Sequence, residues 1–213
     1  MTWVLANLGL IGERTLAHLL LAVPAIALAL VASLLIGWAA HRYQATRGAI
    51  LTGSGLLYAI PSLPLFVALP TLIGTGVRDR ANVIVVLTLY GIALLTRSIA
   101  DALGAVLPDT RQAATAVGYS GVGRFWQVEL PLAGPAILAG LRVVAVSTVS
   151  LVTVSAVLGV PSLGLLFTDG FQRGIVAEVV AGLVATIAVA LLLDAVVVAA
   201  GRLLMPWTRE GAR

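Results

Sequence analysis

Long uncharged apolar runs alternate along this chain with short polar stretches, and the runs have the length of membrane spans. A helix rises about 1.5 Å per residue and needs about 20 apolar residues to cross the hydrocarbon layer. Residues 19–40 predict a first spanning helix. Residues 48–77 predict a second, but Pro61, Pro64 and Pro70 fall inside it and should kink or break it. Residues 81–100 predict a third, with Arg97 and Asp101 four positions apart and able to pair on one face. Residues 132–160 and 175–203 predict the fourth and fifth, the last carrying Glu178 and Asp194. Asp194 lies deep enough to need a partner such as Arg142, whereas Glu178 falls nearer an interface. No internal repeat or low-complexity segment divides the chain, so residues 1–213 predict one transmembrane domain.

Composition strengthens this all-α reading. Of the 213 residues 60% are hydrophobic and 10% charged, against about 25% charged in soluble domains. Too little charge remains to clothe a soluble surface, and a bilayer admits only helices or closed barrels. There is no cysteine, which removes disulfides, thiol catalysis and thiolate metal sites. The first apolar run is too long for the core of a cleavable signal.

All 13 basic residues are arginine. In so apolar a chain the net charge of +4 is better explained by a cytoplasmic bias of arginine than by nucleic acid. Arg42, Arg47, Arg97, Arg111, Arg124, Arg202, Arg209 and Arg213 fall on one side of the five spans, and Arg14, Arg78, Arg80 and Arg173 on the other. The first side is then cytoplasmic, with the N-terminus outside and the C-terminus inside. Trp38, Tyr43 and Trp207 sit where an aromatic belt belongs.

Residues 109–131, between the third and fourth spans, form a polar island on that cytoplasmic side. Pro108 should end the preceding helix. Asp109 and Gln112 have the spacing of a capping box, Ala113, Ala114 and Ala116 give a small-residue face, and Gly118 offers a left-handed stop. Ser120 is placed to cap a second short helix through Arg124, Phe125 and Trp126, after which Leu130-Pro131 should turn the chain back into the membrane. Two readings fit: a docking surface for a partner, or an amphipathic segment resting on headgroups.

The island resembles the coupling loop of permease subunits of ABC-type importers. Their pattern is Glu-Ala-Ala, three residues, Gly, nine residues, Ile-x-Leu-Pro. This chain has Gln112-Ala113-Ala114, Gly118 and Val128-Glu129-Leu130-Pro131 with both spacings kept. Gln112 replaces the usual Glu; it can still serve in a cap, but brings no charge for a contact to a partner. The resemblance covers residues 16–205. Ile60-Pro61-Ser62-Leu63 and Gly159-x-x-x-Leu163-Gly164 resemble the branch importing osmoprotectants such as glycine betaine, choline and carnitine, although that branch often has Gly-Gly where Pro161-Ser162 stand. The resemblance implies a type I importer fold in a bacterial inner membrane. It also implies a second, identical or related permease subunit, cytoplasmic ATP-binding subunits and an extracytoplasmic binding protein. Gln112, Ala113, Ala114, Gly118, Arg124, Phe125, Trp126, Leu130 and Pro131 would then form the ATPase-coupling surface.

The chain lacks the means to hydrolyse ATP itself. The phosphate-binding loop requires a lysine, and there is none. ATP and magnesium therefore belong to the partner, and no cofactor is expected here. His18 and His41, the two histidines, are expected at membrane ends, away from metal or catalytic roles. No nucleophile elbow is visible. Ser147, Thr148, Ser150, Thr153 and Ser155 give the fourth span a run of hydroxyls. These either line a polar path or bond back to their own helix and its neighbours. Tyr58 and Tyr90 offer aromatic faces to a passing quaternary ammonium, and Glu178 a negative charge; packing is the alternative for each tyrosine. Other solutes, such as methionine or a thiol-betaine, fit the same architecture. A scaffold or channel working without ATP is the reading from another class.

Overall fold

The computed structural model describes residues 2–208. Arg209 and Arg213, counted above for orientation, lie outside the described residues. Helices account for every regular element among them: α1 (Thr2–Ala6), α2 (Leu8–Arg42), α3 (Gln44–Ala59), α4 (Ser62–Ile73), α5 (Arg80–Gly104), α6 (Pro108–Ala116), α7 (Gly121–Arg124), α8 (Leu130–Val154), α9 (Gly164–Arg173) and α10 (Val176–Leu204). A π-helical turn, Phe125–Glu129, joins α7 to α8, and a 3-10 turn, Ser155–Leu158, closes α8.

Among the described residues four helical stretches are long and apolar enough to span a membrane, and α3 with α4 make a bent apolar pair with the composition of a broken span or a re-entrant loop. The break is the proline effect expected there, taken to its limit. Ile60 precedes Pro61 and both are extended, at ψ 127° and 137°; a residue before proline is pushed out of the helical region. The two helices meet at 108°. Pro24, by contrast, lies inside α2 without ending it.

Helices pack here through small residues. The buried stripe of α2, including Ala22, Ala25, Ala29, Ser33, Gly37 and Ala40, lies along α5 in the most extensive pairing of the molecule. A methyl group at Gly91 of α5 would sit 2.5 Å from the Ala29 Cβ. Bare backbone is required there, and such close approach lets dispersion hold helices together where lipid offers no hydrophobic drive. Two apolar clusters divide the interior along its length. One gathers Leu21, Phe66, Val83, Val86, Tyr90, Val149, Leu163 and Leu166; the other gathers Ala29, Leu95, Ile99, Leu103, Phe125, Ile137 and Val144. Buried Asn82 ties α4 to α5 by donating to Phe66 O at 3.0 Å and Val77 O at 3.3 Å.

Several sequence expectations are corrected. The first span begins at Leu8, because Gly9, Gly12, Glu13 and Arg14 are helical although they interrupt the apolar run. His18 is accordingly buried inside the bundle within α2, whereas His41 lies in the last turn of that helix. Residues 164–173, read as a connection, form α9; its apolar set is too short to signal a helix by itself. Leu130-Pro131 makes no turn: α7, the π turn, α8 and its closing 3-10 turn run on as one 38-residue helical stretch. The π turn accommodates Pro131, whose ring and missing N–H disturb the preceding helical bonds.

Candidate functional site

The island forms one end of the bundle. Leu107 caps α6 and Pro108 and Asp109 are its first residues, so Asp109 is not the N-cap, and no side-chain cap bond with Gln112 forms. The stop at Gly118 is as expected. Its φ of 101° lies where side chains strain the backbone. Gly118 N bonds Thr115 O at 3.0 Å and Tyr119 N bonds Ala114 O at 3.1 Å, the reciprocal pair of a Schellman stop. Ser120 then caps α7, its Oγ accepting from Gly123 N at 3.1 Å.

Ion pairs brace this elbow from within. Arg124 Nε donates to Glu129 Oε1 at 2.7 Å, and its Nη1 to Thr115 Oγ1 at 3.0 Å, joining the stretch after the elbow to α6. Positions five apart do not face each other on an α-helix, but the π turn adds the residue that brings Arg124 over Glu129. Glu129 is 4% exposed, with His41 Nε2 4.0 Å away. Arg111 Nη2 donates to Leu103 O at 2.7 Å, holding α6 to the end of α5. Phe125 is buried against Trp38, ring centroids 5.9 Å apart. Glu129 and Arg111, missed as site residues, were hidden because their partners are set by the π turn and by tertiary contact.

The surface left outside by this bracing mixes apolar and uncharged polar side chains. Val117, Tyr119, Val122 and Trp126 are exposed, as are Gln112 and Ala113, while Ala114 and Phe125 are buried and Leu130 and Pro131 are partly covered. The predicted coupling residues therefore divide into a presented set and a supporting set. Glu129→Ala is expected to lower the thermal stability of the purified protein by about 1–3 kcal/mol, because it strips Arg124 of its buried partner. A melting curve equal to wild type would remove Glu129 from the bracing.

A second polar feature lies at the α3–α4 break. Tyr58, Tyr90, Ser147 and Ser150, with Ile60 and Pro61, line a groove of about 440 Å³. The tyrosine rings meet edge to face at 6.1 Å, and Tyr90 OH donates to Ile60 O, a carbonyl released by the break. The remaining path candidates lie elsewhere. Thr148 and Ser155 are buried, Ser155 Oγ donating to Val152 O at 2.7 Å, and Thr153 Oγ1 donates to Ser150 O at 2.6 Å. Glu178, in the first turn of α10, is 1% exposed behind α9, with Arg173 Nη1 3.8 Å away.

The expected charge pairs form. Arg142 grips Asp194 through two bonds of 2.6 and 2.8 Å. Asp101 is 3.7 Å from Arg97 but closer, at 2.8 Å, to Arg47, which joins α3 to α5. Among the described residues no three His, Asp or Glu side chains converge as for a metal ion.

These features define a class first: a multi-spanning, all-helical membrane subunit with a proline break in its second apolar run and a helical elbow at one end. The chain belongs to the family of inner membrane components of binding-protein-dependent transport systems, the permeases of ABC importers, whose model matches residues 13–210. It is 31% identical over 199 residues to the osmoprotectant import permease protein OsmW of Salmonella typhimurium, covering 90% of each chain. It is 35% identical over 155 residues to the ergothioneine transport permease/ergothioneine binding protein EgtU of Helicobacter pylori, covering 73% of this chain and 28% of that one. Its fold is shared with the inward-facing MetNI methionine ABC transporter at a TM-score of 0.76 and 17% identity, over 94% of this chain and 97% of that one. The protein is thus a multi-pass inner-membrane permease subunit and not an enzyme; in such systems separate subunits hydrolyse ATP.

Proposed function

We propose that this chain is the permease of an ATP-driven importer of quaternary-ammonium osmoprotectants such as glycine betaine, choline and carnitine, and that residues 109–131 couple it to the ATPase. The observation that carries the coupling is the elbow itself. Its outer surface is presented by a scaffold of Gly118, Ser120, Arg124 and Glu129 stiff enough to transmit a push into α8, with which α7 is continuous. Motion of the ATP-binding subunits at Val117, Tyr119 and Trp126 would then tilt the fourth span as one lever. A rigid lever moves a packed bundle between two arrangements, as alternating access requires.

The chain acts in this reading as a single transmembrane domain, with its N-terminus outside and its C-terminus and elbow in the cytoplasm, as the arginine bias supports. Two permease subunits, identical or closely related, enclose the path between them. A cytoplasmic ATPase carries ATP and magnesium, and an extracytoplasmic binding protein delivers the solute. The osmoprotectant substrate is supported by the OsmW likeness and by the tyrosine groove, since aromatic faces attract quaternary ammonium. A thiol-betaine is the second reading, favoured by the EgtU likeness.

Competition in whole cells separates the two. Excess unlabelled choline or carnitine is expected to suppress labelled glycine betaine uptake through this system, with ergothioneine and methionine leaving it near control. Suppression by ergothioneine alone would transfer the assignment to the thiol-betaine.

A further inference from the structure

The Arg142–Asp194 pair stands in an unusual place. Arg142 lies about 18 Å along α8 from its start and Asp194 about 15 Å from the end of α10, at about 1.5 Å per residue. Both are thus near the middle of a hydrocarbon layer about 30 Å thick. Yet the two side chains are 47% and 23% exposed on the chain. Charges at that depth do not face lipid tails; they face protein or a water-filled cavity.

What adjoins the pair favours a cavity. Ser147 borders both the cleft containing Arg142 and Asp194 and the tyrosine groove. Residues 142, 146 and 150 share one face of α8, since positions four apart stack along a helix. The pair therefore continues the polar strip of Ser147, Ser150, Tyr58 and Tyr90 toward the opposite end of the bundle. About 12 Å of helix separates Arg142 from Ser150, so a small solute meets tyrosines and charge pair at successive stations.

We propose that Arg142 and Asp194 recognise a zwitterion on the path: its carboxylate on the Arg142 guanidinium, its quaternary ammonium beside Asp194. This rests on the osmoprotectant reading above and narrows it to carboxylate-bearing betaines over purely cationic choline. The pair is neutral and so is a zwitterion, and each charge of one is matched by a charge of the other. The bidentate contact uses Nε and Nη2, while Nη1 has two further N–H donors for a carboxylate. A cation could engage only Asp194 and would compete with Arg142 for it.

The test is equilibrium binding of labelled glycine betaine and labelled choline to the full chain assembled with its ATPase in bilayer discs. The binding protein is omitted, so that its selectivity does not enter. Wild type is expected to prefer glycine betaine. The neutral double variant Arg142→Gln with Asp194→Asn is expected to lose about tenfold or more in betaine affinity, as for a lost charge-assisted contact, with choline changed by less than about twofold. A second measurement needs no variant: glycine betaine should slow modification of Arg142 by phenylglyoxal, read by peptide mass spectrometry, and choline should not. Equal losses for both ligands, no loss for either, or absence of protection would overturn the inference. Equal wild-type affinity for betaine and choline overturns it while sparing the osmoprotectant reading. A wild type that binds neither overturns both.

Discussion

Gly118→Val is expected to cut ATP-driven uptake about tenfold or more while the subunit still folds and inserts. A Cβ at Gly118 meets nothing within 4 Å, so no core contact is lost. The damage is confined to the backbone, held at φ 101°. A left-handed conformation costs a side-chain-bearing residue about 1–2 kcal/mol, and 1.4 kcal/mol corresponds to about tenfold. A β-branched residue suffers most, and the chain relieves the strain by opening the Schellman stop. That swings α6 away from α7, separating Gln112 and Ala113 from Val122 and Trp126 as a presented surface. Gly118→Asn should retain more activity, because Asn tolerates this region better. A bulky residue at Ala114 should uncouple by another route, wedging α6 off its support. Uptake into proteoliposomes with co-reconstituted ATPase measures all three. Wild-type rates in an intact Gly118→Val assembly would remove the elbow from coupling.

The second large effect is structural. Gly164→Leu is expected to lower stability by about 3 kcal/mol or more, enough to abolish a monodisperse peak on size-exclusion chromatography. A Cβ at Gly164 would collide with Thr153 O, with Ala156 Cβ at 2.8 Å next to it. That carbonyl belongs to the last turn of α8 and cannot move without breaking it. Gly159, at φ 77°, and Ser162, whose Oγ accepts from Gly164 N at 3.3 Å, fold the chain back so that α9 can dock there. Gly9→Ala, where a Cβ meets nothing within 4 Å, serves as the tolerated control. A Gly164→Leu protein that melts with wild type would mean that α9 does not pack as described.

How much of this was legible depended on whether a signal was local. Spanning helices declare themselves through long apolar runs, so the four long spans were readable, as was a break among Pro61, Pro64 and Pro70, though not which proline makes it. Gly118 and Ser120 were readable because caps and stops are set by a residue's own backbone preference. Arg142 and Asp194 were readable because two opposite charges at one depth in an apolar chain must meet. Asp109 misled, since Pro108 is equally suited to the first helical turn and took it, shifting the cap to Leu107. α9 was not visible because its large apolar residues, Leu165, Leu166, Phe167 and Phe171, are too few to establish a period. The Arg124–Glu129 brace required the π turn, which no local pattern announces. The convergence of Tyr58, Tyr90, Ser147 and Ser150 from three helices is a tertiary fact, and the same hydroxyl run sent Thr148 and Ser155 into the core.

The two motifs behind the osmoprotectant resemblance acquire physical content from the structure. Ile60-Pro61 is the break that opens the groove and leaves Ile60 O to Tyr90. Gly159 and Gly164 are the left-handed turn and the close approach that seat α9 against α8. Both sequences specify backbone shape.

Substrate-stimulated ATP hydrolysis by the purified assembly of this chain with its ATPase and binding protein tests the central claim most directly. Glycine betaine, choline, carnitine, ergothioneine and methionine are each added in turn. A quaternary-ammonium osmoprotectant is expected to raise hydrolysis several-fold over the basal rate, and Gly118→Val to abolish that rise while leaving basal hydrolysis unchanged. Hydrolysis indifferent to every solute, together with solute flux through this chain in the absence of any ATPase, would contradict the account and identify a channel.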